Sequence, residues 1–192
     1  MKIRFIFLVS MVFLVFILSA AWGQDLQSRL ESSRKVVKKF AAELTYHLDQ
    51  ALDDGGPSKA ITVCAEIAPD IAFNFSKETG WDVSRTSLKF RNPANAPDEW
   101  ETRVLKDFDK RKAAGEPVSK LEYHEVVGFG EKKQFRYMKA IPTKPVCLAC
   151  HGKQISEDTE KVLDAYYPED NARGFEVGDI RGAFTIVQPM QD

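Results

Sequence analysis

Near the C-terminal end of the chain, two thiols and an imidazole stand close together in the run Cys147-Leu148-Ala149-Cys150-His151-Gly152. A CxxCH spacing is the pattern through which c-type haem is attached. One turn of backbone brings both sulfurs to the two vinyl groups on one edge of a porphyrin, where they form thioethers. The imidazole then swings under the ring and reaches iron through one nitrogen. Two other chemistries use a CxxC pair. A structural zinc site needs a second pair of ligands, and the chain has only 3 cysteines. A dithiol redox pair belongs at a helix N-terminus after a βαβ pattern, whereas Pro142 and Pro145 put this pair in a loop. The expected cofactor is one covalently attached haem c.

An iron held by His151 has a second face to fill. The candidates are Cys64, His47, His124, Met138 and Met190, and spacing alone does not choose among them. Histidine and methionine are the usual donors in electron carriers. His47 and His124 also read as surface residues, and Met138 as core. Cys64 is singled out by accounting: in an exported protein a third cysteine is a liability unless it is used. It lies on the apolar side of a helix beside Val63 and Ile67, where a buried inert thiol is the alternative. Arg85, Lys89 and Arg91 are candidate partners for haem propionates, arginine being suited to bidentate pairing with carboxylates. The alternative for these charges is the wet face of a strand.

Export is read from the N-terminus. Lys2 and Arg4 precede an apolar run from Phe5 to Leu18, and Ala21-Trp22-Gly23 offers small residues at the cleavage positions. Residues 1–23 are the expected secretory leader, with residues 24–192 as one haem-binding domain. An uncleaved anchor is the alternative, because Phe5 to Trp22, 18 residues, sits at the lower edge of what spans a bilayer. That would be the only membrane association expected. Covalent haem attachment takes place outside the cytoplasm, so a periplasmic or otherwise exported location agrees with CxxCH. Without Lys2 and Arg4, the 27 basic residues of the chain fall to 25 against 28 acidic ones, a net charge of −3. That balance asks for no nucleic acid and no anionic membrane surface.

The elements that must position these residues follow from period and punctuation. Leu26–Leu52 has helical spacing, with Lys35, Lys38 and Lys39 on a solvated face. Asp53 to Pro57 is a break. Ser58 is expected to cap a second helix carrying Cys64, kinked or divided at Pro69. Trp81–Phe90 is strand-like, the segment from Asn92 to Asp98 a fixed loop, and Glu99–Ala114 a helix closed by Gly115 and Pro117. Leu121–Val127 and Lys132–Ile141 flank a hairpin at Gly128-Phe129-Gly130. Ser156–Tyr167 suggests a short helix, and Ile180–Val187 a last strand. Helices followed by an antiparallel meander make the fold class α+β. A small antiparallel sheet closed by helices, as in PAS-like sensor folds, suits this order better than the all-helical fold of small cytochromes c.

Three blocks carry a family resemblance: Ile61-Thr62-Val63-Cys64-Ala65-Glu66-Ile67-Ala68-Pro69, the run from Arg85 to Glu101, and Cys147 to Gly152. Together, and in this order, they resemble the c-type haem domain family with a PAS-like fold and His/Cys axial ligation. Members of that family occur as small exported proteins and as extracytoplasmic sensor parts of signalling proteins. The resemblance covers nearly all of residues 24–192 and implies Cys64 as the iron ligand opposite His151. An axial thiolate stabilises ferric iron and implies a low reduction potential. Release of Cys64 on reduction would open a site for NO or CO. The expected function is a redox or small-gas sensor, with a low-potential electron carrier as the alternative and an unidentified redox or signalling protein as partner. No nucleophile–base pair and no phosphate-cradling loop is present, so an enzyme is not expected.

Overall fold

The computed structural model describes the backbone of residues 2–190 and the side chains of residues 23–190; the side chains of the apolar run 5–22, from which the leader was read, lie outside them. Among the described residues no helix is long and apolar enough to cross a membrane. Helix α1 is assigned over Lys2–Thr62 and is interrupted at Gly55 and Gly56, whose backbones are not helical. Gly56 takes φ 66°, ψ −162°, a conformation that costs a residue without Cβ little. This is the break expected at 53–57, but the restart differs from the expectation. Pro57 opens the next helical run, its fixed φ suited to a first turn, so Ser58 is not the cap.

The chain continues through a π turn at Val63–Ile67 into α2, Ala68–Thr79, which ends on left-handed Gly80. Strand β1 covers Asp82–Thr86. It stops short of the expected Phe90 because the Ser87 N–H leaves the ladder for the Asn95 carbonyl at 3.2 Å. Helix α3 is Glu99–Ala113, started by a reciprocal box in which Asp98 accepts from Glu101 N–H at 2.7 Å and Glu101 accepts from Asp98 N–H at 3.1 Å. Strands β2 (Glu122–Val127) and β3 (Gln134–Pro142) form the expected hairpin. Residues 143–179 follow, holding α4 (Leu148–His151) and α5 (Glu157–Tyr166). Strand β4, Ile180–Pro189, closes the fold.

The four strands are all antiparallel, in the order β1-β4-β3-β2. Alternation along β3 and β4 sends Phe135, Tyr137, Phe184 and Ile186 to one face, against α1 and α2. Met138, Ala140 and Ala183 face the other way, under Trp100, Val104, Leu105 and Phe108 of α3. Helices thus cover both faces of an antiparallel sheet. The architecture is α+β, consistent with the PAS-like arrangement expected. Phe40 of α1 is 0% exposed; it stacks on Phe75 at 5.9 Å and meets Phe184 edge-on at 5.1 Å. Burying such a ring stabilises the fold by about 1.5–3 kcal/mol.

Asp98 gives the fold a testable pH dependence. Burial works against its charged form, but the Glu101 N–H and Arg136 outweigh that and hold its carboxyl below the usual range. Its contribution is therefore present above the unfolded carboxylate pKa and lost as pH falls through the lower, folded value. Asp98→Ala should cost about 1 kcal/mol at neutral pH and a smaller amount in acid, measured by urea denaturation at both pH values.

Candidate functional site

A cleft of about 730 Å³ lies between α1, the π turn and the sheet face bearing Tyr137 and Phe184. All six residues singled out above as site residues, Cys64, Arg85, Arg91, Cys147, Cys150 and His151, line it. The other candidates for the second axial position do not. His47 packs against Tyr46 on α1, and His124 is exposed on β2 against Phe135. Met138 (0% exposed) and Met190 (6%) belong to the two cores. Lys89 lies over Phe175 and lines a separate, smaller hollow.

Cys64 owes its place to a proline. Pro69 has no N–H to return to the preceding turn and its ring would strike the carbonyl four residues back. The turn before it is widened, so that Ala68 N–H reaches Val63 O, five residues back. Cys64 is a free, half-buried thiol within that turn, between the buried Ile61 and Val63 and the partly buried Ile67. Cys147 and Cys150 are free thiols too. Lys144 N–H donates to Cys147 Sγ at 3.3 Å, closing the turn that begins at Pro145. Burial pushes the Cys150 thiol pKa up, with Arg91 opposing. Gly152 ends this turn where nothing larger fits: a Cβ there would stand 2.6 Å from Leu148 O.

His151 is held by its backbone and its ring. Its carbonyl accepts from Phe175 N–H at 2.9 Å, and Gly152 O accepts from Gly174 N–H at 3.0 Å. Nδ1 lies 2.8 Å from Ala172 O. A carbonyl can only accept, so the proton is on Nδ1 and Nε2 keeps its lone pair. Burial, with Arg181 and Arg91 nearby, holds the imidazole well below its ordinary pKa, against the opposing pull of the Ala172 carbonyl. The ring is therefore neutral at pH 7, which is the form that ligates a metal.

The two arginines predicted for the site differ in what they are free to do. Arg91 is spoken for: Nε pairs with Asp170 at 3.1 Å, and Nη2 donates to Cys150 O and, at 3.3 Å, to Ala172 O. It braces the CxxCH turn from beneath. Arg85 has no ion pair or hydrogen bond among the described residues and lies 5.8 Å over the Phe40 ring. Burial lowers its pKa, with Cys64 and Tyr167 opposing.

Arg181, Tyr167, Asp170 and Ala172 were missed in the sequence. Arg181 donates to Ser87 Oγ and Lys89 O, both at 3.3 Å, and has no carboxylate partner among the described residues. Burial, reinforced by Arg91 and Arg85, brings its pKa down to about 10. Its one legible sign is a charge at the start of a β-branched strand. Asp170 and Ala172 sit in a loop whose sequence shows only turn chemistry.

The cleft therefore offers two unpaired guanidinium groups, two thiols on one turn, a third thiol across from them in sequence, and a neutral imidazole with a bare nitrogen. Residues 23–189 match the family model described as Tll0287-like. The chain is similar to the solved crystal structure of the cyanobacterial heme-protein Tll0287, at TM-score 0.56 and 26% identity over 79% of this chain and 94% of that one. No curated protein matches it. The chain belongs to the Tll0287-like family.

Gly152 supplies the test of the turn. Gly152→Ala should destabilise the protein by about 1–3 kcal/mol, the usual range for forcing atoms into a packed site. Glu43→Ala, at an exposed position of α1, should leave the thermal unfolding midpoint almost unmoved.

Proposed function

We propose that this member of the Tll0287-like family is an exported c-type haem protein acting as a redox or small-gas sensor. Cys147 and Cys150 would carry one haem c by thioether bonds, and His151 Nε2 and Cys64 Sγ would hold its iron. The observation that carries the reading is the convergence of these four residues and two unpaired arginines on one cleft. Three features of the cleft bear on its fit to that group. Its volume of about 730 Å³ lies toward the upper end of the range of about 300–1,000 Å³ usual for ligand pockets. Arg85 and Arg181 lack carboxylate partners among the described residues and suit two propionates. The three thiols and one imidazole that line the cleft include no cluster of three placed to hold a metal ion among the described residues, which suits iron already held by a macrocycle better than a four-ligand zinc site.

Bound there, the haem would supply a one-electron couple and an iron able to take a small ligand. The chain's own residues divide the remaining work. His151 is fixed by Ala172 O and by the backbone bonds to Gly174 and Phe175, so its Nε2 stays aimed into the cleft. Cys64 would be the displaceable donor, because no hydrogen bond among the described residues holds its thiol, whereas Nδ1 of His151 is held by Ala172 O. With the iron reduced by one electron from a redox partner, Cys64 Sγ would take a proton from solvent and dissociate as the thiol, leaving a position for NO or CO, while His151 remains. Arg85 and Arg181 offset the propionates, and the apolar wall of Leu44, Leu48, Ile61 and Phe184 excludes water. None of these residues forms a nucleophile–base pair, and a binding and signalling role is proposed rather than an enzymatic one.

A second reading is a low-potential electron carrier. Val146, 45% exposed beside Cys147, favours it, since an attachment turn at the surface would bring a haem edge within reach of a redox partner.

Protein expressed with its leader should be red and carry one haem by mass after denaturation. Cys64→Ala should alter the ferric absorption spectrum, and the reading fails if that spectrum stays as in the parent. Adding CO to the reduced protein decides between the two roles: a changed spectrum supports the sensor, an unchanged one the carrier.

A further inference from the structure

Behind the CxxCH turn lies a buried ion pair that contributes no atom to the metal position. The side chains of Arg91 and Asp170 are 6% and 2% exposed. Asp170 Oδ1 accepts from Arg91 Nε at 3.1 Å and from Ala172 N–H at 2.8 Å, and its Oδ2 accepts from Arg173 Nε at 2.9 Å. The carboxylate thus anchors residue 172 through its N–H, one peptide unit before the carbonyl that accepts the His151 Nδ1 hydrogen bond. Arg91 in turn grips the Cys150 carbonyl and shares the Ala172 carbonyl with His151.

From this geometry we infer that Arg91 and Asp170 are positioning residues that set both the orientation and the electron-donating power of the His151 ligand. The inference rests on the haem reading above and extends it to residues outside the ligand set. Two effects of Arg91 act in the same direction. A cation on the Ala172 carbonyl weakens that oxygen as an acceptor, so Nδ1 holds its proton more tightly and Nε2 donates less to iron. The same buried charge disfavours the ferric state, which carries one more positive charge than the ferrous. Arg91 therefore raises the reduction potential. Asp170, whose carboxylate is shared with Arg173, offsets part of that charge and lowers the potential, while its hydrogen bond to Ala172 N–H holds residue 172 with its carbonyl toward the ring.

The test compares the holoprotein with Arg91→Gln and Asp170→Asn by potentiometric titration, with haem content checked by mass. Asp170→Asn retains an oxygen for Ala172 N–H and loses the charge, so its potential should rise. Arg91→Gln should shift the potential the other way. Asp170→Ala also removes the acceptor, and its ferric electron paramagnetic resonance spectrum should split into more than one low-spin species as the imidazole loses its single orientation. The inference is overturned if Asp170→Asn leaves the potential unmoved or lowers it. It is equally overturned if both charge variants move the same way. Should Arg91→Gln fail to accumulate, Asp170→Asn decides alone. A parent protein without covalent haem sinks the functional reading; a loaded parent with unmoved variants sinks this inference only.

Discussion

The hydrogen bond from His151 Nδ1 to the Ala172 carbonyl is the constraint through which the site becomes a site. It fixes the tautomer, leaves Nε2 bare and stops the ring from turning. A carbonyl on a long loop could not do this without its own support. The loop 170–175 is tied down at Asp170, at Asn171 N–H to Phe90 O, and at the two backbone bonds to residues 151 and 152. Arg91 spans the same gap from below, and its pair with Asp170 is almost wholly excluded from water. Removing one partner of such a buried pair costs about 3–5 kcal/mol, so the arrangement is held by the cost of leaving it.

A second dependence runs from the core into the cleft. Phe40 packs between Phe75 and Phe184, and its ring lies under the guanidinium of Arg85. The side chain that anchors α1 on the sheet therefore also floors the unpaired cation. Gly182 plays a similar double part on β4. A Cβ there would meet Thr86 O at 2.4 Å, so its absence lets β1 and β4 approach closely just where Arg85 and Arg181 enter the site. The two arginines without a carboxylate partner among the described residues, Arg85 and Arg181, both line the cleft. Arg91 lines the cleft as well, but its guanidinium is paired with the Asp170 carboxylate.

Much of this was legible in the chain. CxxCH is a local pattern whose spacing encodes its own geometry. Leu30, Val37, Phe40 and Leu44 advertised a helix, and Asp98, closing its loop, advertised where another begins. Pro69 announced trouble in the Cys64 helix, though the sequence could not say that a wide turn rather than a kink would result. Arg91 illustrates the opposite case. A residue type and a strand-like context made it a candidate for binding a carboxylate; it does bind one, but the carboxylate is Asp170, 79 positions away and unmarked by any motif.

The amino-acid sequence by itself determined which chemistry was on offer: two thiols three positions apart, an imidazole next to them, a third thiol far upstream, and a pattern of apolar residues that makes helices before an antiparallel sheet. These are short-range properties, set by covalent spacing and by the periods of helix and strand. Only the tertiary structure decided which of five candidate donors shares a cleft with His151, and which arginine is left unpaired within it. It also decided which carbonyl takes the imidazole proton. Each of those outcomes depends on where residues far apart in the chain come to rest, and burial fixes their pairing because a polar group shut away from water must find a partner or a space prepared for one.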